Sequence, residues 1–241
     1  MLSSLMLGAN NSANISISNE LRELLDSIST TKKVMKNAFI FHEGLEANEI
    51  YIVNTGLVQV SKLTADGKEL ILRICNRDDI VGELSLFSDD PKYLLSGKAL
   101  TDAEIQVVQK DQLEDALLSN GNLTFEYMRW SSTQMRKFQS KIRDLLLNGK
   151  KGALYSTLIR LANSYGLEQD DGTLINVSLT NQELANFCAA TRESINRMLV
   201  HLRKIDVITI DKTGRIFIKD LDYLKTEIGC EGCPIEICNI N

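Results

Sequence analysis

The sequence predicts an α+β fold in three parts: a β-rich N-terminal domain, one long helix, and a C-terminal module of short helices and a hairpin. Three observations carry this expectation. Short apolar stretches split by turn signals recur between residues 34 and about 110. From about Gln112 to Leu147 there is no proline, and apolar residues repeat every seven positions. Beyond residue 178 a helix-capping pattern, a pair of small residues and a second apolar stripe follow one another. The expected boundaries are a mobile tail over 1–19, a β-barrel sensor-like domain over 20–111, a long helix over 112–148, a mixed module over 149–226 and a cysteine-rich tail over 227–241.

Bulk properties narrow the function classes. At 241 residues the chain can bury one large core or two modest ones, and 44% hydrophobic residues is ordinary for a soluble globular protein. The longest apolar runs fall far short of a membrane span, and Met1 to Asn19 carries no basic n-region, so a cytoplasmic location away from membranes is expected. Cysteines there stay reduced, which favours metal binding over disulfides. A net charge of −5 argues against a protein that coats nucleic acid with its whole surface. Between Glu183 and Lys219, however, seven basic residues face four acidic ones, a local basic footprint.

In the β-rich part, Glu49-Ile50-Tyr51-Ile52-Val53 and Leu57-Val58-Gln59-Val60 are separated by Asn54-Thr55-Gly56, and Ala65-Asp66-Gly67 marks a further turn. Glu69 to Ile74 and Glu104 to Val108 read as additional strands, so a barrel or sandwich is expected. In the long helix, Met128, Met135 and Ile142 recur at heptad spacing, with Ser131, Phe138 and Leu145 at the companion positions. Such a seam predicts pairing with a second copy; a single helix packed on its own domain is the alternative. Residues 152–165 read as an amphipathic helix ending near Gly166, and Gln169-Asp170-Asp171-Gly172 as a turn.

Thr180-Asn181-Gln182-Glu183 is a capping box that opens a short helix through Cys188. Ala189 and Ala190 supply a tight turn, and Thr191 caps a second helix running to about Arg203. On it Ile195, Met198, Leu199 and Leu202 form one buried stripe, leaving Arg192, Glu193, Asn196 and Arg197 on the other faces of its start. Val207 to Ile210 and Arg215 to Ile218 flank Asp211-Lys212-Thr213-Gly214 as a hairpin wing. This is a winged helix-turn-helix pattern. Arginine offers a fork to guanine O6 and N7, and glutamate accepts from cytosine N4, which suits reading of double-stranded DNA in the major groove. An i,i+4 salt bridge between Glu193 and Arg197 on a solvated helix is the bland alternative.

Three of the five cysteines lie in the last twelve residues as Cys230, Cys233 and Cys238, a C-x2-C-x4-C run. Thiolates this close suit a soft metal centre. Zinc would need one more ligand, and His42 and His201 are the only histidines in the chain. A dithiol redox enzyme built on Cys230 and Cys233 is disfavoured, because such a pair normally opens a helix in a βαβ unit. With no Ser/His/Asp set or phosphate-binding glycine loop, no enzyme is expected. Cys75 and Cys188 read as buried small hydrophobes.

Gly67-Lys68-Glu69, Val81-Gly82-Glu83-Leu84-Ser85-Leu86-Phe87 and Thr191-Arg192-Glu193-Ser194-Ile195-Asn196-Arg197 occur in order, and the chain from about residue 20 to 225 resembles the CRP/FNR family of bacterial transcription regulators. The resemblance implies a cyclic-nucleotide-binding-type β-barrel, a dimerisation helix and a DNA-binding module, with RNA polymerase as a further partner. Members that bind cyclic AMP carry an Arg-Ser pair about eleven residues after the Gly-Glu; here Tyr93 and Leu94 stand there. A cyclic phosphate would lack its fixed positive partner, so no cyclic nucleotide binding is expected. The match of Arg192, Glu193 and Arg197 to the cyclic-AMP-type readers implies a TGTGA-like half-site, repeated as a palindrome with centres about 34 Å apart. The cysteine tail is similar to that of a bacillus-type FNR subgroup. By that resemblance Cys230, Cys233 and Cys238 hold a [4Fe-4S] cluster with Asp144 as the fourth ligand, zinc being the alternative. The implied function is an oxygen-responsive regulator of anaerobic genes; a cyclic-nucleotide-binding regulatory module is the rival reading.

Overall fold

The computed structural model describes residues 17–64 and 66–241. Most of the tail expected over 1–19, and Ala65 of one expected turn, lie outside them. The chain divides into two compact units, one ending at Ser132 and the other running from Thr133 to Ile240.

The first unit opens on a helix absent from the sequence-based expectation, α1 (Asn19–Ile28), whose first turn is capped by the Ser18 hydroxyl accepting from Leu21 N. Strands β1 (Ser29–Val34), β2 (Phe39–Phe41), β3 (Glu49–Thr55), β4 (Val58–Leu63), β5 (Glu69–Cys75), β6 (Ile80–Val81), β7 (Ser96–Ala99) and β8 (Ala103–Gln109) follow. They form two four-stranded sheets in the orders β1-β8-β3-β6 and β2-β7-β4-β5, with all pairings antiparallel. The expected barrel is thus jelly-roll-like, two sheets rather than one closed cylinder.

Strand β3 shows why its sequence is almost continuously apolar. Tyr51 and Val53 join the core between the sheets, while Ile50 and Ile52 join a second core with Leu21, Leu25, Leu113, Leu117 and Trp130 on the helical side. A strand buried on both faces loses the usual in-out alternation. The β3–β4 turn needs Gly56: its φ is +88°, and a Cβ there would lie 2.5 Å from the carbonyl oxygen of Asp102.

The helix expected as one element over 112–148 is two: α2 (Lys110–Ser119) and α3 (Gly121–Leu147). Asn120 breaks the run with an extended backbone, and its side-chain oxygen accepts from Asn122 N at 3.1 Å and Leu123 N at 3.3 Å, capping the new helix. Helix α3 is two-faced. Leu123, Tyr127 and Trp130, then Thr133, Lys137, Ser140 and Asp144, are buried. On the other side Met128, Met135, Phe138 and Ile142 are exposed, with Ser131 and Leu145 half-buried.

In the second unit α4 (Gly149–Tyr165) is buried on nearly every side from Gly152 onward, not amphipathic as expected. It is the central post, touched by α5 (Asn181–Phe187), α7 (Leu221–Glu227) and the strands β9 (Gly166–Gln169) and β10 (Gly172–Ile175). The expected turn at 169–172 joins β9 to β10, and the wing strands β11 (Ile208–Ile210) and β12 (Ile216–Ile218) extend the same sheet in the order β11-β12-β10-β9. Among the described residues no helix is long and apolar enough to cross a membrane.

Candidate functional site

Two sites emerge in the second unit. The first is the paired helix. Thr180 caps α5 in a complete capping box, its hydroxyl accepting from Glu183 N at 3.2 Å while the Glu183 carboxylate takes Thr180 N at 2.6 Å. The turn follows, with Ala189 in the left-handed region at φ +47° and Ala190 N bonded to Ala185 O at 3.0 Å. Helix α6 (Arg192–Lys204) starts at the Thr191 cap. Ile195, Leu199 and Leu202 are buried and Met198 is half-buried, so the stripe holds the helix to the unit. Arg192, Glu193, Asn196 and Arg197 are all exposed at its start.

Among the described residues no ion pair within 4.0 Å joins Glu193 to Arg197, although the Arg197 charge contributes to stabilising the Glu193 carboxylate. Hydrogen bonds from its own backbone N–H and from Thr191 hold the Glu193 carboxyl below its ordinary pKa, keeping it an acceptor. Asn181 donates to Asn196 Oδ1 at 3.2 Å, orienting that amide from the neighbouring helix. The wing turn is tied by Asp211, which accepts from Thr213 N at 2.8 Å and Arg215 N at 3.0 Å, and by Ser178 donating to Thr213 O at 2.9 Å.

The second site is a cavity of about 110 Å³ beneath the tail. Cys230, Cys233 and Cys238 line it together with Asp144, so the four residues assigned to a metal centre meet on one cavity. Arg143, Ser156 and Arg160 are among the other polar residues of its wall. The tail reaches it by tight turns: Cys230 N bonds Lys225 O at 2.9 Å, Gly229 and Gly232 take positive φ, and Ile237 N and Cys238 N both bond Pro234 O at 2.9 Å.

Asp144 is buried, 7% exposed. Its Oδ2 accepts from Ser156 Oγ at 2.7 Å and Arg160 Nη2 at 2.9 Å, and its Oδ1 accepts from Arg143 Nη2 at 3.0 Å. Burial alone pushes this carboxyl up, but the hydrogen bonds from Ser156 and Arg160, the Arg160 charge and the Arg143 bond outweigh it, and the net shift is downward. Burial pushes the Cys238 thiol up, with the Arg160 charge opposing it. Arg143 also donates to Glu231 Oε2 at 2.6 Å and to Cys233 Sγ at 3.8 Å.

The donor set has a definite character. Among the described residues no three His, Cys, Asp or Glu side chains converge as ligands of a single metal ion. A lone zinc needs four donors about 2.0–2.3 Å from one point. Three thiols and a carboxylate spread around one cavity are a donor set that would suit a polynuclear centre. Arg143 and Arg160 place two positive charges on the wall of the same cavity as the thiols and the Asp144 carboxylate.

Arg160, Ser156 and Arg143 were not singled out from sequence. The signal for Arg160 was present: it is a lone charge in Leu158-Ile159-Arg160-Leu161-Ala162, and it is 1% exposed. In the first unit, Tyr93 stands where the resemblance locates a phosphate-binding arginine. Its ring packs on Phe41 at 4.4 Å between centroids, and its hydroxyl donates to Glu49 O at 2.7 Å. Leu94 beside it is exposed. Glu83 accepts from Arg73 Nη2 at 2.8 Å, a partner in a neighbouring strand and not within its own turn.

Comparison with known proteins agrees with this division. A cyclic nucleotide-binding domain model matches residues 31–120 and a Crp-like helix-turn-helix domain model matches residues 152–227. The chain is 60% identical over 225 residues to the anaerobic regulatory protein of Bacillus subtilis, covering 93% of this chain and 94% of that protein. It is 28% identical over 208 residues to the lactate racemization regulatory protein of Lactiplantibacillus plantarum, covering 82% and 90%. Among solved structures it is similar to a CRP-family transcriptional regulator from Thermus thermophilus, with 26% identity, a TM-score of 0.69 and coverage of 86% of this chain and 99% of that one. Sheets, helices and recognition module thus occur in the order of known regulators, over nearly the whole length of the 60% relative, and the chain belongs to the CRP/FNR family of transcription regulators.

Proposed function

We propose that this protein is an oxygen-responsive, sequence-specific regulator of anaerobic genes, acting as a homodimer on palindromic DNA and switched by a [4Fe-4S] cluster held by Cys230, Cys233, Cys238 and Asp144. The observation that carries the reading is the shared cavity: three tail thiols and one helix carboxylate, far apart in sequence, line the same space. The relative at 60% identity is named an anaerobic regulatory protein, which agrees with this role. Bound there, an iron–sulfur cluster would supply an oxidant-sensitive link, with Asp144 as the hard ligand on an otherwise soft set.

The protein's own residues then do the coupling. Asp144 lies on α3, whose opposite side exposes Met135, Phe138 and Ile142, and Met128 lies on the same seam. An apolar seam of this spacing is covered by the same seam of a second copy. Ligation by the tail ties the chain that follows the recognition module to the dimer helix, biasing the two copies of α6 toward one spacing. Were Asp144 to ligate through Oδ1, Arg143 would have to release that oxygen, and Glu231, already bonded to Arg143 Nη1, would hold the guanidinium. Arg192, Glu193, Asn196 and Arg197 read a TGTGA-like half-site, and DNA-bound dimers contact RNA polymerase.

The test is anaerobic purification followed by iron and sulfide analysis and a DNA-binding selection. Iron and sulfide bound to the protein, with TGTGA-type palindromes recovered, is the expected outcome. Colourless protein with one zinc per chain overturns the cluster, and a preference for TTGAT-type half-sites overturns the readout assignment.

A further inference from the structure

The tail is held to α4 in two unequal pieces. Its end is fixed by backbone bonds to the buried Arg160 and Ser164 and the half-buried Asn163. Arg160 donates through Nη1 to Ile237 O at 3.1 Å and to Asn239 O at 3.5 Å, while the side chain of Asn163 donates to Cys238 O. Ser164 Oγ accepts from Ile240 N at 3.0 Å, and Ile237 and Ile240 are buried. Pro234 to Glu236 go with this end, since Ile237 N and Cys238 N bond Pro234 O and the buried Asn239 amide donates to Ile235 O and Glu236 O. The stretch before them, Cys230 to Cys233, is held by Cys230 N to Lys225 O of α7 and by the exposed or half-buried pairs Arg143 to Glu231 and Arg143 to Cys233.

The remaining donors of Arg160 go to the other side of the cavity. Nη2 bonds Asp144 Oδ2 at 2.9 Å and Ser140 Oγ at 2.9 Å, and Nε bonds Ser156 Oγ at 3.1 Å. One planar fork therefore spans the helix carboxylate and the tail carbonyls at once. A lysine carries a point charge on a flexible stem and cannot hold this set.

We infer that Arg160 is a positioning residue that presets Cys238 and Asp144 before any metal centre binds, with Asn163 as its companion, so that only the Cys230–Cys233 segment reorganises when the metal centre comes or goes. This rests on the proposed ligand set and assigns each ligand a class: Cys238 and Asp144 are in place beforehand, and Cys230 and Cys233 arrive with the reorganising segment. A preset half-site lowers the ordering cost of assembly, which otherwise falls on the whole tail.

The experiment is amide hydrogen exchange on the full-length protein purified without iron. Peptides covering 237–240 are expected to exchange at least about tenfold more slowly than those covering 230–233. Asn163→Ala and Arg160→Lys are both expected to erase that difference while peptides of α6 keep their wild-type rates. Arg160→Lys keeps a positive charge beside Asp144, so its urea midpoint is expected to stay closer to wild type than that of Arg160→Gln. Loss of tail protection in Arg160→Lys with the fold retained separates positioning from bulk stability. Equal exchange of the two tail segments in the wild type overturns the inference, and so does protection that survives in both Asn163→Ala and Arg160→Lys. Because the measurement uses iron-free protein, its result stands apart from whether iron is found on anaerobic purification.

Discussion

Inside the N-terminal sheets, aromatic rings have turned toward one another. Phe41 stacks on Tyr51 at 5.3 Å, Tyr93 packs against Phe41, and the Tyr93 hydroxyl reaches both Glu49 O and the Tyr51 hydroxyl. Burial raises the pKa of both tyrosines, so each keeps its proton and remains a donor. Arg73 and Glu83 neutralise each other nearby. Beneath the tail the arrangement is the reverse: three thiols and a helix carboxylate line an open cavity, backed by two arginines. The first region spends its polar groups on itself and the second holds soft donors toward a space. The domain matched by a cyclic nucleotide-binding model ties its aromatic and charged groups to one another, while thiols and a carboxylate line one cavity beneath the tail.

The largest test of this contrast removes a thiol. Cys233→Ser leaves too few soft donors, so iron is expected to be lost. Affinity for the palindrome is expected to fall about 100-fold under anaerobic conditions, near the upper end of ordinary coupling between sites. Anaerobic fluorescence anisotropy on a labelled promoter fragment measures it. Anaerobic DNA affinity equal to that of the wild type would remove the tail as the input.

A smaller effect is expected from the scaffold. Glu83→Gln leaves the largely buried Arg73 guanidinium without its counter-charge, although Ile80 O still accepts one bond at 2.9 Å. Breaking one partner of such a pair costs about 3 kcal/mol, read as a lowered urea midpoint. Iron content and the anaerobic gain in DNA affinity are expected to be unchanged. A lost DNA response in a folded Glu83→Gln protein would mean that the pair carries signal and the contrast between the regions is too sharp.

What the sequence revealed follows the same division. The strands were legible because turns such as Asn54-Thr55-Gly56 punctuate them, and Gly56 alone tolerates the backbone there. The recognition module was legible because its caps are local: Thr180 and Thr191 each bond within three residues. Helix α1 was missed although Ser18 precedes Leu21, Leu24, Leu25 and Ile28 at helical spacing. The break between α2 and α3 was missed because heptad counting overrode Asn120-Gly121, a turn signal in its own right. At the cavity, spacing exposed the cysteines, but the burial of Asp144 depends on Arg160 and Ser156, which are 16 and 12 residues away. No local pattern records that contact; only the isolated charge in an apolar helix hinted at it.

The finest test is Tyr93→Phe. The variant keeps the ring that packs on Phe41 and Tyr51 and removes only the hydroxyl, leaving Glu49 O without that donor. Losing one such neutral bond is worth about 1 kcal/mol, a small drop in the urea midpoint. The space released is one oxygen atom, and no positive charge replaces it. Titration calorimetry with cyclic AMP is therefore expected to show no binding by the variant or by the wild type, because the phosphate would be stripped of water with no fixed cation to meet it. Micromolar binding by the wild type would make the first unit a working receptor, and the tail would then be a second input and not a replacement for the first.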